Sequence, residues 1–207
     1  MRLLEAIRGT NSVLADQLTL EYSKPNHYQD RLAEFLKDVR PNVVVETGVA
    51  TGISSERILS ALDDLEGGVL HSIDLSPRAG LFEVDHPRWH KHRASSQDVL
   101  HEIYAKTGPW DVFLHDSDHG AFCQTFEYEM AWQFVRPGGY ILSDDYLWGD
   151  PPHGAWQTFC SRHGLAFDKL GGCAIAHKSI TAPRCVPRDS AAEALSAALR
   201  MARMVAL

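Results

Sequence analysis

Four apolar runs in this sequence end on acids. Val43-Val44-Val45 runs into Glu46, Val69 to Ile73 into Asp74, Val112-Phe113-Leu114-His115 into Asp116, and Tyr140-Ile141-Leu142-Ser143 into Asp144-Asp145. An ionised carboxylate only accepts hydrogen bonds and is a hard oxygen ligand. Acids gathered at one edge could hold sugar hydroxyls, bind a hard divalent cation, or take a proton from a reacting hydroxyl. They would also suit a metal-free polar site or solvated strand ends. Beside the first acid lies the loop Glu46-Thr47-Gly48-Val49-Ala50-Thr51-Gly52. Gly48 and Gly52 permit a tight turn and close backbone approach, and a helix starting there points its first N–H groups at an anion. The spacing E-x-G-x-x-x-G is neither the dinucleotide pattern G-x-G-x-x-G nor a phosphate loop ending in Gly-Lys-Ser/Thr. An acid directly before the loop suits a ligand carrying a cation next to an anion, such as an amino-acid moiety.

Elements must bring these acids together, and the sequence supplies them. Tyr28, Leu32, Phe35, Leu36 and Val39 recur at helical spacing, and Pro41 stops that helix. The β-branched run at 43–45 lacks polar alternation, as in a parallel strand buried on both faces. Helices are expected at about 54–62, 97–105, 121–135 and 155–163, and strands at about 69–73, 89–94, 111–115 and 140–142. Phe122, Phe126, Met130 and Phe134 place one apolar stripe on the third of these helices. Cys123, in that stretch, reads as core packing. Pro137-Gly138-Gly139 predicts a turn before the fifth strand. Residues 165–170 and 173–177, joined by Gly171-Gly172, predict a hairpin. A last helix over about 190–206 begins with the capping box Ser190-Ala191-Ala192-Glu193. Its apolar face could pack on its own core or on a second subunit, so a homodimer is one expectation. Strands alternating with helices predict an α/β fold, Rossmann-like and doubly wound. The sheet is expected to be mainly parallel and seven-stranded, with an antiparallel edge hairpin, in a single domain over 1–207 with its core at about 28–180.

Composition narrows the function. The net charge of −7 opposes nucleic-acid binding, which depends on Lys and Arg neutralising phosphates. No apolar run reaches the roughly 18 residues of a membrane span, and the start lacks the pattern of a signal peptide. The four cysteines form no C-x-x-C pair or zinc pattern. A cytoplasmic protein with reduced thiols is expected.

Residues 43–52 resemble motif I of the class I S-adenosylmethionine (SAM)-dependent methyltransferases. The resemblance implies that Gly48, Ala50, Gly52 and Ser54 lie against the methionine end of SAM, with Glu46 helping to anchor its amino group. Asp74 would bind the ribose hydroxyls, and Ser95 and Ser96 would flank the adenine. Ala50 stands where the family often has glycine, and Ser95 where many relatives have an acid. Residues 113–119 and 137–146 resemble small-molecule O-methyltransferases of the macrocin and cephalosporin-biosynthesis type. That likeness implies a magnesium ion held by Asp116, Asp144 and Asp145, with a small hydroxylated substrate of secondary metabolism as acceptor. Asp116, which also borders the cofactor, or His119 would take the proton; His153 is a weaker candidate. Tyr146, Trp148 and Trp156 could wall the substrate pocket, although Trp156 reads more readily as core. Two rivals share parts of this pattern. A nicotinamide-dependent oxidoreductase would use Asp74 but lacks its third glycine and leaves Asp144-Asp145 unexplained. A non-catalytic partner protein could keep the fold without turnover.

Overall fold

The computed structural model describes residues 28–75, 84–144, 146, 149 and 152–205. Helix α1 (Tyr28–Val39) precedes strand β1 (Val43–Thr47), helix α2 (Ile53–Asp64), β2 (Val69–Ile73) and β3 (Trp89–His92). Then come α3 (Ser96–Thr107), β4 (Trp110–His115), α4 (Ala121–Phe134), β5 (Val135–Ser143), α5 (Pro152–His163), β6 (Phe167–Leu170), β7 (Cys173–His177) and α6 (Ala191–Val205). The sheet order is β3-β2-β1-β4-β5-β7-β6. β1 pairs in parallel with both β2 and β4, while β7 runs antiparallel to β5 and β6. The chain is thus a seven-stranded Rossmann-like α/β fold with an antiparallel edge hairpin. Its strand order reverses between β2 and β4, at β1, and open sheets of this kind bind ligands outside the carboxyl ends at such a point.

The absence of polar alternation in β1 has a direct structural cause. Val44 faces a core shared with α1 and α2, where Leu36, Ile58 and Leu62 are fully buried. Val45 faces the opposite core, built with α3, α4, α5 and α6. The face of α6 that carries Ala194, Ala198 and Ala202 is buried in this second core, so its apolar stripe packs within its own chain. Trp156 also lies there, fully buried.

The expected turn at Pro137-Gly138-Gly139 is instead absorbed into a longer β5. Trp110 pairs with Val135 while Val112 pairs with Tyr140, so the intervening residues of β5 bulge out. Gly138 takes a φ of +81°, and a Cβ on Gly139 would lie 2.7 Å from the Asp111 carbonyl oxygen. Glycine at both positions lets the bulge fit without breaking the strand. Lys178 secures the same corner, fully buried, its Nζ donating to the carbonyls of Trp132 (2.5 Å) and Val135 (2.8 Å). All four cysteines are free thiols. Among the described residues no helix is long and apolar enough to cross a membrane.

Candidate active site

The strand ends meet through backbone bonds. The amide of Gly48 donates to the Ile73 carbonyl, that of Asp116 to Thr47, and that of Asp144 to His115, each at 2.9 Å. The β1–α2 loop therefore lies directly against the start of the β4–α4 loop. A Cβ on Gly48 would fall 1.8 Å from the Asp116 carbonyl oxygen, and its φ is +84°, so only glycine fits. Asp74 closes the loop from the other side. One of its oxygens accepts from the amides of Val49 (2.8 Å) and Ala50 (3.1 Å). Ala50 holds a φ of +44°, an unfavourable left-handed conformation for alanine that these bonds help to sustain.

A cleft of about 440 Å³ opens over these ends. Gly48, Ala50, Asp74, Ser95, Ser96 and Asp116 all border it. Three other positions from motif I stand behind it. Glu46 is fully buried and accepts from the hydroxyls of Ser55 and, at 2.5 Å, Ser72. Burial pushes its carboxyl up to about 7, even though the serine hydroxyls pull it down. Gly52 is the N-cap of α2, with φ +82°, and Ser54 is buried in that helix's first turn. Ser95 caps α3, accepting from the Asp98 amide at 3.3 Å. A larger groove, of about 740 Å³ and bordered by Tyr104, Arg136 and Arg188, holds none of the strand-end acids.

Asp116, at the cleft, and Asp144 end neighbouring strands. Tyr28, at the start of α1, donates its hydroxyl to Asp116 at 3.1 Å. Burial raises that phenol well above its ordinary value, and the charges of Asp116 and Asp144 raise it further. Asp145 and Trp148 lie outside the described residues. Among the described residues no group of three His, Cys, Asp or Glu side chains is placed to hold an ion. The donor chemistry of Asp116 and Asp144 nevertheless suits magnesium. His119 packs edge-on against His115, with ring centroids 5.7 Å apart, and its Nδ1 lies 3.5 Å from the Gln124 amide nitrogen. Tyr146 is buried and stacks on His153 at 4.7 Å.

The sequence did not single out Glu127. Its carboxylate borders the cleft with no solvent exposure of its own. It accepts from Thr47 Oγ1 (2.5 Å), His115 Nδ1 (2.6 Å), Ser117 Oγ (2.9 Å) and Cys123 Sγ (3.4 Å). Burial raises its pKa, but the His115 ring and the bonds from His115, Thr47 and Ser96 more than offset this and hold it below the usual carboxylate range. Cys123 thus contributes a cleft-side donor as well as packing. Only the structure shows that α4 buries Gln124, Glu127 and Glu129 together with Phe126, Met130 and Phe134. A helix buried on several sides must find partners for such groups.

The strand order, the glycine loop and the acids around the cleft define a class I SAM-dependent methyltransferase fold. Residues 45–146 match the family model described as a methyltransferase domain. The middle of the chain therefore carries a methyltransferase domain. No curated protein sequence matches it significantly. Among solved structures it is similar to the MycE methyltransferase from the mycinamycin biosynthetic pathway, in complex with Mg and SAH. That match has a TM-score of 0.62 and 18% identity, covering 83% of this chain and 56% of MycE. The chain therefore spans little more than half of MycE's length. It is also similar to an O-methyltransferase from Bacillus cereus in complex with SAH (TM-score 0.61, 15% identity, 81% and 90% covered). A third match is the SAH-bound Podospora anserina methyltransferase PaMTH1 (TM-score 0.59, 12% identity, 84% and 92% covered).

Proposed function

We propose that this protein transfers the methyl group of SAM to a hydroxyl of a small molecule, a secondary metabolite, with magnesium assistance. The observation that carries this reading is the cleft at the strand ends. Asp74, tied to the loop amides, borders it on one side, and Asp116 borders it on the other, next to Asp144. Two carboxylate oxygens match two ribose hydroxyls, so Asp74 would hold the nucleoside. Ser95 and Ser96 would flank the adenine. The loop at Gly48, Ala50 and Gly52, with Ser54 behind it, would receive the methionine end, and Glu46 would support that loop from beneath. Asp116, Asp144 and Asp145 would hold the magnesium ion. When bound, the ion would lower the pKa of an acceptor hydroxyl and orient it. MycE, whose fold the chain shares, has been solved in complex with Mg, SAH and mycinamycin VI.

In the reaction the acceptor oxygen forms a bond to the methyl carbon as the carbon–sulfur bond breaks. The bonding pair stays on sulfur, leaving the neutral thioether SAH. The hydroxyl proton passes to Asp116 or His119. Aligning oxygen, carbon and sulfur accounts for about 7 kcal/mol or more of catalysis when the geometry is good. The free thiols suit a reducing, cytoplasmic compartment.

Calorimetry of Asp74→Ala tests the cofactor assignment. SAM affinity should fall at least about a hundredfold, since two hydroxyls lose a charged acceptor; unchanged affinity would sink it. Turnover of a panel of phenols and sugar hydroxyls, with chelator and then with added magnesium, tests the rest. Full activity in excess chelator would remove the metal role from Asp116, Asp144 and Asp145.

A further inference from the structure

The larger groove lies at the amino ends of β4 and β5, opposite the cleft. Pro109 stands just before β4, Arg136 lies at the start of β5, and residues 180–188 fall between β7 and α6. None of the residues lining it borders the cleft. Three of them are arginines, Arg136, Arg184 and Arg188, and none is an aspartate or glutamate. A chain of net charge −7 thus gathers three permanent positive charges around one groove of about 740 Å³. Like charges collected in this way repel, and a bound anion relieves that cost.

Two of the guanidiniums are held in place. Arg136 Nε donates to the buried Asp111 carboxylate at 2.6 Å, and its Nη1 to the Pro137 carbonyl at 3.2 Å. The other Asp111 oxygen accepts from the amides of Asn42 and Val43, at 2.8 and 2.9 Å, so this acid is shared with the backbone. Arg188 Nη2 donates to the Thr107 carbonyl at 2.8 Å. The backbone leaves room for both side chains. A Cβ on Gly108 would lie 2.3 Å from Arg188 Nη2, and one on Gly138 would lie 3.0 Å from Arg136 Nη1. These bonds use only part of each planar fork of N–H donors. Arg184 is exposed and makes no hydrogen bond or ion pair among the described residues. Beside the charges the groove offers apolar surface, including Ile180, which is 78% exposed.

We propose that this groove is a second binding site, separate from the strand-end cleft, for a small molecule bearing phosphate. A guanidinium fork pairs bidentately with phosphate oxygens. A phosphate monoester presents three acceptor oxygens and up to about two charges, a better match for three guanidiniums than one carboxylate. The volume is that of a site for a small organic ligand rather than for a lone ion. The site stands whether or not the strand-end cleft transfers methyl groups.

Calorimetry on the full chain, at low salt and without metal, tests the proposal with two probes, phenyl phosphate and inorganic pyrophosphate. At least one should bind, and Arg184→Ala should weaken it about tenfold, the cost of losing one charged hydrogen-bonding group. Arg184 holds no structural bond, so thermal unfolding of this variant should match wild type. Tighter binding of phenyl phosphate supports an organic ester whose body lies on the apolar surface; tighter binding of pyrophosphate supports an inorganic polyphosphate. Binding of neither probe, or binding that Arg184→Ala leaves unchanged, overturns the proposal. Citrate binding more tightly than both probes also overturns it, in favour of a polycarboxylate. Displacement of the probe by SAM would place it in the strand-end cleft, and the second site would fall.

Discussion

Two fully buried glutamates flank the β1 end, one behind the glycine loop and one on the cleft floor. Glu46 accepts from Ser55 and Ser72, and its second oxygen has no hydrogen-bond partner. Glu127 has partners on both oxygens: Thr47 and His115 on one, Ser117 and Cys123 on the other. The burial penalty acts on both, yet Glu46 rises to about 7 and Glu127 is held below its ordinary value. Burial alone therefore does not decide whether an acid is charged; the number and polarity of its donors do. Near neutral pH the loop is backed by a carboxyl close to its midpoint, while the cleft faces a carboxylate that stays ionised.

The largest effect that would break this contrast lies in the pH dependence of stability. Glu46 titrates at about 7 in the folded protein against 4.5 for the ordinary group, so the folded state binds more protons between those values. Its contribution is fully present below about pH 4.5 and is lost as pH rises through 7. Glu127 has the opposite sign: its contribution is present above the ordinary value and disappears only as pH falls through its lowered folded one. Between pH 5 and 8 only Glu46 contributes to the slope. In urea unfolding, Glu46→Gln should lose most stability relative to wild type at pH 5, with the gap shrinking by about 2–3 kcal/mol at pH 8. Histidine titrations common to both proteins cancel in that difference. Parallel stability curves for the two proteins would mean that Glu46 is ionised throughout.

A smaller effect separates the two donor sets. Thr47→Val keeps the shape of the side chain but withdraws a proton from an ionised carboxylate. The expected loss is about 1.5–3 kcal/mol at pH 7. Ser55→Ala, the matching deletion at Glu46, should cost only about 1 kcal/mol at pH 6, where the acid can stay protonated. Equal losses at the two sites would erase the distinction between them.

The same contrast marks what the sequence could reveal. β1 was legible because Val43-Val44-Val45 has no polar alternation, and α1 because its apolar spacing stops before Pro41; both lie where expected. The bulge in β5 was not, since Pro137-Gly138-Gly139 signals a turn equally well when embedded in a strand. At the site, Asp74 and Asp116 stood out because each follows an apolar run. Glu127 did not, because a glutamate within a helix looks like a solvated residue until tertiary packing covers that face. Glu46 was visible for its position before the loop, but its alternation out of the cleft and onto Ser55 and Ser72 depends on strand register.

Cys123 offers the finest test of the order among Glu127's donors. Burial first, and then the Glu127 charge, push its thiol up to about 12. It therefore stays protonated near neutral pH and donates to Glu127 across 3.4 Å. A thiol is a weak donor, unlike the hydroxyl of Thr47 or the ring N–H of His115. The residue is only half-buried and borders the cleft, so water can fill the space its sulfur leaves. Cys123→Ala should thus cost less than about 1 kcal/mol and leave SAM affinity within about twofold. Thiol-directed reagents should label this position slowly at pH 8, since the thiolate is the reactive form. A loss as large as that of Thr47→Val would make the sulfur a principal donor and would move Glu127's charge compensation from the strand ends onto α4.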